Sequence, residues 1–208
     1  MLVAGSPRAR GSTSRSLGSS LLERLGRRGR STKEVTVYGR NGSGSMAGLM
    51  KDMAAADLVV LAFPLYIDSP PSQVMRLLEV VYEEGDRVRF KGKGLAAIVN
   101  SGFPDAGQMS TAIGICRIFA RDMGMDWKGA LAMPAGPVLG GSPPEGAGGR
   151  ARHQLAGLDS AAEALSAGSP IPEAASQEFS RLGVPRWLCM LIANRSWART
   201  DLRRAPYR

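Results

Sequence analysis

The 208-residue sequence predicts an α/β chain with a doubly wound parallel sheet. Three observations carry that reading. Five short apolar runs recur along the chain, amphipathic stretches with helical spacing alternate with them, and the third run is apolar at every position, as a strand covered on both faces must be. Right-handed crossovers between successive strands leave few other arrangements.

Met1 to Gly5 is the first run and ends in turn residues. Ser14 to Arg28 follows as a helix with Leu17, Leu21, Leu22 and Leu25 on one side, and with Arg24, Arg27 and Arg28 near its C-terminus, where cations complement the dipole. Glu34 to Tyr38 alternates and is rich in β-branched residues, which reads as a second strand. Met46 to Ala56 carries Leu49, Met50 and Met53 as a short helical stripe. Leu58 to Phe63 is the continuous apolar run, and Pro70 and Pro71 punctuate the start of a helix over Gln73 to Glu84. Gly94 to Val99 and Trp127 to Met133 complete the strands, with a helix over Met109 to Met123 between them. Residues 134–149, dense in Gly and Pro, predict a mobile loop, and a helix follows near Arg152 to Leu165. In such a sheet the ligand crevice lies at the carboxyl ends of the strands, so the loops after strands one, three and four are where function is expected.

Composition excludes several classes. Hydrophobic residues make up 44% and charged residues 22%, which rules out wholesale disorder and a disulfide scaffold. Two distant cysteines, Cys116 and Cys189, and a single histidine, His153, argue against a Cys/His zinc site and for a reducing, cytoplasmic compartment. Leu58 to Ile67, the longest apolar run, is about half of the ~20 residues that a spanning helix needs, and the start lacks the pattern of a signal peptide. Charge is uneven. Residues 1–40 hold nine Arg/Lys against Glu23 and Glu34, residues 181–208 hold seven against Asp201, and the middle is mildly acidic. Basic ends attract nucleic acid, an acidic membrane surface or an anionic ligand. Few aromatics interleave the basic clusters and no zinc-finger or RRM signature appears, which argues against nucleic acid.

The first loop, Gly5-Ser6-Pro7-Arg8-Ala9-Arg10-Gly11-Ser12-Thr13-Ser14, opens directly into a helix. Free N–H groups at a helix start, with hydroxyls from Ser6, Ser12, Thr13 and Ser14, make an anion site suited to a phosphate monoester. Serine and threonine also simply cap helices. Neither a Walker pattern nor GxGxxG is present, which argues against an NTPase and a dinucleotide site. No Ser-His-Asp or Cys-His arrangement appears; His153 is expected on the surface and Cys116 in the core.

Gly5-Ser6-Pro7-Arg8 with Ser12-Thr13-Ser14 resembles the phosphate loop of the flavodoxin-like NAD(P)H-dependent FMN reductase family. Ala56 to Pro71, Asn100-Ser101-Gly102-Phe103 and Met123 to Gly129 resemble further segments of that family in the same order, so the likeness covers roughly residues 1 to 170. It implies a five-stranded sheet in the order 2-1-3-4-5, with the first strand central and shortened at its start. It also implies that Ser6, Ser12, Thr13 and Ser14, with Arg8 nearby, hold the FMN phosphate. Pro64, Leu65, Tyr66 and Ile67 would line the isoalloxazine, and Asn100, Ser101, Gly102 and Phe103 would border its other side. For Tyr66, Phe103 and Gly102 the plain alternatives are a buried strand-end aromatic, a core side chain and a turn residue.

The activity so implied is hydride transfer from NAD(P)H to FMN and on to a small acceptor such as a quinone or another flavin, by a cytoplasmic homodimer. The alternative is a flavodoxin-like electron carrier without its own NAD(P)H turnover, against which the basic balance weighs. Residues 1–170 are expected to form the FMN-binding domain and 171–208 a basic helical C-terminal extension. Within the extension, Pro185 to Trp197 is an apolar-rich helical stretch expected to pack on the domain or on a second subunit. A membrane surface is the other partner that its basic and Trp content suggests.

Overall fold

The structure, a computed structural model, describes residues 1–8, 11–38 and 43–201. Five parallel strands form one sheet: β1 (Leu2–Ala4), β2 (Glu34–Thr36), β3 (Leu58–Pro64), β4 (Gly94–Asn100) and β5 (Asp126–Met133). Their order is β2-β1-β3-β4-β5, as expected, and β1 is only three residues long. The helices are α1 (Thr13–Arg27), α2 (Ser43–Ala55), α3 (Ser72–Glu84), α4 (Arg87–Phe90), α5 (Ser110–Asp122), α6 (Arg152–Ser166), α7 (Glu173–Phe179) and α8 (Arg186–Asp201). The short α4 was not foreseen; Asp86 caps it by accepting from the Val88 N–H at 3.0 Å.

The period-two geometry of the central strands divides the core into two layers. Val59, Leu61 and Phe63 of β3 and Leu95, Ala97 and Val99 of β4 pack against Leu49 and Met53 of α2, Val74, Leu77 and Val81 of α3, and Cys116 and Phe119 of α5. Val60 and Ala62, with Ala96 and Ile98, face the other way onto Leu17, Leu21 and Leu25 of α1 and Leu158 and Ala162 of α6. Cys116 is core as expected, and burial pushes its thiol pKa up to about 12.

Ile171, Ala175 and Phe179 join that second layer, so the packed chain runs on through α7. They cover β5, the sheet's edge. The register of this strand slips by one residue at Lys128, which has no partner on β4 between the pairs Leu95–Trp127 and Ala96–Gly129; the Ile171 N–H donates to Lys128 O at 2.7 Å, and Ser176 Oγ donates to Ala130 O at 2.9 Å. These bonds use edge carbonyls that would otherwise template pairing with another chain.

Two expectations are corrected and one is sharpened. Residues 134–149 are not an irregular loop: 3₁₀ turns occupy Gly136–Val138 and Pro144–Ala151, the latter broken by a kink at Gly148, and Ala135, Val138, Leu139 and Ala147 are buried. Arg24 stands in the last turn of α1 as expected, but inside the fold. It is buried and bonded to Glu145 at 2.7 Å and Asp159 at 2.6 Å. His153 is buried rather than on the surface; Arg152 Nε donates to its Nε2, leaving Nδ1 to bridge to Glu178 of α7 at 2.7 Å. Among the described residues no helix is long and apolar enough to cross a membrane.

Candidate functional site

Strand order places the loops after β1, β3 and β4 side by side at the carboxyl end of the sheet. Gly5 leaves β1 where a Cβ would stand 2.2 Å from the Val74 side chain, so the first loop lies tight against α3. Ser12 then caps α1 in extended conformation, accepting from the Arg15 N–H at 3.3 Å. The first N–H groups of the helix are left without an intrahelical acceptor, beside the positive end of its dipole.

Around that start Ser6, Ser12 and Ser14 are buried. Ser6 Oγ accepts from the Arg8 N–H at 3.3 Å, and the Ser12 and Ser14 hydroxyls lie 3.3 Å apart. Arg8 is exposed at the rim, while Ala9 and Arg10 lie outside the described residues. Thr13 behaves differently: its hydroxyl donates to Gly136 O at 3.3 Å and ties the loop to the segment after β5.

That segment is a wall that sequence reading missed. Ser16 Oγ donates to Gly141 O at 2.8 Å, and a Cβ on Gly141 would stand 2.1 Å from Gly11 O, so the two glycine backbones touch. Farther along α1, Ser20 and Arg24 both bond Glu145. Burial raises the Glu145 carboxyl pKa, but hydrogen bonds from Ser20 and Arg24 outweigh it and hold the group below the ordinary carboxylate range. Arg24 keeps its charge on the same balance, burial opposing and the two carboxylates prevailing. The signals for this wall were Ala135-Gly136 and Gly140-Gly141, which by composition say only that the chain turns.

The loop after β3 is a two-residue hairpin turn. Tyr66 N–H donates to Ser69 O at 2.9 Å, Ser69 N–H returns to Tyr66 O at 3.1 Å, and Ile67 and Asp68 between them have φ of 47° and 61°. Left-handed φ at both central positions suits Asn-Gly, and a β-branched residue there is strained. Ile67 is 98% exposed, so core packing does not compensate the strain. Such strain persists where the surroundings enforce it, typically at binding sites. Pro64 and Leu65 are half-buried beneath, with the Leu65 N–H on Asn100 O at 2.8 Å. Tyr66 is 47% exposed, not buried. Tyr38 lies near it; burial first, and then the Tyr66 phenol, push the Tyr38 pKa up.

On the third loop, Asn100 Oδ1 is buried with no hydrogen-bond partner among the described residues. Its amide nitrogen lies against Gly136, where a Cβ would come within 2.6 Å. Ser101 is buried, donating from Oγ to Phe103 O at 3.1 Å, and its own carbonyl accepts from the Gly136 N–H at 2.8 Å. Phe103 is 47% exposed, which removes the core alternative, and Gly102 has open space beside it.

The carboxyl-end crevice thus combines a helix start rich in donors, an exposed apolar turn and an unpaired buried acceptor. It can hold an anion next to a flat apolar group that carries its own polar edge. A cavity of about 680 Å³ lies instead at the amino end of the sheet between Met1, Leu22, Lys33, Asp52 and Leu165. Doubly wound sheets bind ligands at the carboxyl end, where the donors and the unpaired acceptor converge. No group of metal-ligating side chains occurs among the described residues.

No family model matches the sequence, and no curated protein does. Solved structures match in fold. An NADPH-quinone reductase from P. pentosaceus superposes with TM-score 0.57 at 17% identity, covering 77% of this chain and 95% of the other. An NADH:FMN oxidoreductase in its apo form gives TM-score 0.56 at 14% identity over 90% and 96%. The two-electron reduced flavodoxin of Megasphaera elsdenii gives 0.50 at 16% identity over 79% and 100%. At these identities the shared property is the fold, which is flavodoxin-like.

Proposed function

We propose that this chain is an FMN-dependent oxidoreductase that passes a hydride from NAD(P)H through the flavin to a small acceptor such as a quinone or another flavin. The observation that carries the reading is the alignment of three loops at one sheet end: serine-capped helix start, exposed strained turn, and Asn100 with its unpaired buried oxygen. FMN, when bound, supplies the two-electron chemistry.

The chain's part is to bind, orient and exclude. Ser6, Ser12 and Ser14, with the first N–H groups of α1, would hold the phosphate, and the Gly11–Gly141 contact closes that loop from outside. Tyr66 and Ile67 would lie along one side of the ring and Phe103 along the other, apolar surfaces that displace water from it. Asn100 Oδ1 is an acceptor in want of a donor, as the ring's N–H edge would provide. Thr13, with its hydroxyl on Gly136 O, would act through the loop rather than on the phosphate. The flavodoxin-like carrier is the second reading; the net charge of +9 disfavours it, since electron carriers of that fold tend to be acidic.

Reconstitution tests the proposal. The purified chain with FMN, passed over a desalting column, is expected to stay yellow and to oxidise NADH or NADPH with a quinone present. A protein that retains no flavin and shows no thermal shift with FMN would overturn it, and a yellow protein inert to both nicotinamides would leave the carrier.

A further inference from the structure

Helix α8 turns one face to the domain and leaves the opposite face bare. Cys189, 3% exposed, is seated with Ala135, Val138 and the flanking Leu182 and Val184. Trp187, Met190 and Leu191 are spaced three and four apart, so they share one face, roughly half a turn away from Cys189. They are 69%, 43% and 54% exposed. Arg186 and Arg195 stand on the two borders of this stripe, each about a quarter turn from its centre. Both are exposed, and neither makes an ion pair among the described residues.

We infer that this face of α8 docks on an anionic lipid surface. An apolar stripe containing Trp and bordered by Arg suits the headgroup boundary: the apolar side chains enter the acyl edge while the guanidinium groups meet lipid phosphates. Charge supports this occupant. Residues 181–208 carry seven arginines against Asp201 alone, and Arg203, Arg204 and Arg208, outside the described residues, continue the same sign along the sequence. A second copy of the chain is the poorer occupant. A two-fold interface sets a patch against itself, so the arginines bordering the stripe on one copy would be brought up to those of the other. The anchor is built on the domain, because the Ala135 N–H donates to Phe103 O at 2.7 Å and so links the helix's seat to the loop after β4.

The docking does not depend on flavin, so its failure and that of the oxidoreductase reading are separable. Full-length protein, with and without FMN, is floated with vesicles of phosphatidylcholine and of an equal mixture of phosphatidylcholine and phosphatidylglycerol. Binding is expected to the mixed vesicles only, with a blue shift of Trp emission and release at high salt. Trp187→Ser/Leu191→Ser is expected to weaken partition on the order of tenfold or more, through lost apolar burial. Arg186→Glu/Arg195→Glu is expected to erase the preference for anionic lipid, and because all four side chains are exposed, the variants should melt as wild type does. Three results would overturn the inference: no binding to mixed vesicles at low salt, unchanged partition by both double variants, or a dimer in light scattering that Trp187→Ser/Leu191→Ser splits.

Discussion

Gly140 and Gly141 differ in one physical respect, which makes them a matched test of the wall over the first loop. Both have left-handed φ, 59° and 79°, so an alanine at either costs about 1–2 kcal/mol in backbone strain. At Gly140 the new methyl meets nothing within 4 Å. At Gly141 it would stand 2.1 Å from Gly11 O, 2.2 Å from the Gly11 carbonyl carbon and 2.6 Å from its Cα. All three atoms are backbone, so no rotamer change relieves the clash and the two loops must part. Parting them strains the bonds from Ser16 to Gly141 O (2.8 Å) and from Thr13 to Gly136 O (3.3 Å), worth about 0.5–1.5 kcal/mol each. Gly140→Ala should therefore cost about 1–2 kcal/mol and Gly141→Ala about 2–5 kcal/mol. The two bonds set the variants about 1–3 kcal/mol apart, and with about 2–4 °C per kcal/mol for a chain of this size they should melt on the order of 2–12 °C apart by circular dichroism. Melting points within about 1 °C of each other would refute the claim that the segment after β5 is pressed onto the phosphate loop.

Other consequences are as direct. Replacing Ile67-Asp68 by Asn-Gly relieves two left-handed residues and loses no burial, so stability should rise by about 1–2 kcal/mol in urea titrations while FMN affinity falls with the loss of the Ile67 side chain. Glu145 has a folded pKa below its unfolded one, so its stabilising contribution is complete above the ordinary carboxylate range and is lost as pH falls through the depressed value. Its side chain is 43% exposed, so the contribution is about 0.5–1 kcal/mol after solvent screening, and Glu145→Gln should flatten the acid limb of the stability profile by that amount. Cys116, with its thiol raised to about 12 by burial, should react with a thiol reagent only after unfolding in guanidinium, and labelling of Cys116 in the native protein, read by mass spectrometry, would contradict its core placement.

The candidate site was legible to the extent that its chemistry is local. Ser12 as a cap follows from residue type and position after a strand, whereas Pro64-Leu65-Tyr66-Ile67 and Asn100 stand out through the resemblance to the reductase family. The part of Thr13 does not follow, because which way its hydroxyl turns depends on Gly136, 123 residues away. Asp68 and Tyr38 escaped for a related reason: neither a left-handed φ at Asp68 nor the approach of Tyr38 to Tyr66 leaves a mark on residue spacing.

By itself the sequence determined the α/β class, the five strands, most of their helices and which loops gather at the carboxyl end of the sheet. These rest on periodicity and capping, which act within a turn or a strand's length. Only tertiary structure decided that residues 134–151 are a packed wall, that Arg24 lies buried in an ion-pair cluster, and that His153 pins α6 to α7. Glycine and proline in a sequence report a chain that turns, not what it turns onto. Here order comes from partners as far off as Arg24 and Glu145, 121 residues apart, whose bond exists only once β5 has joined the sheet and the following chain has folded back along α1.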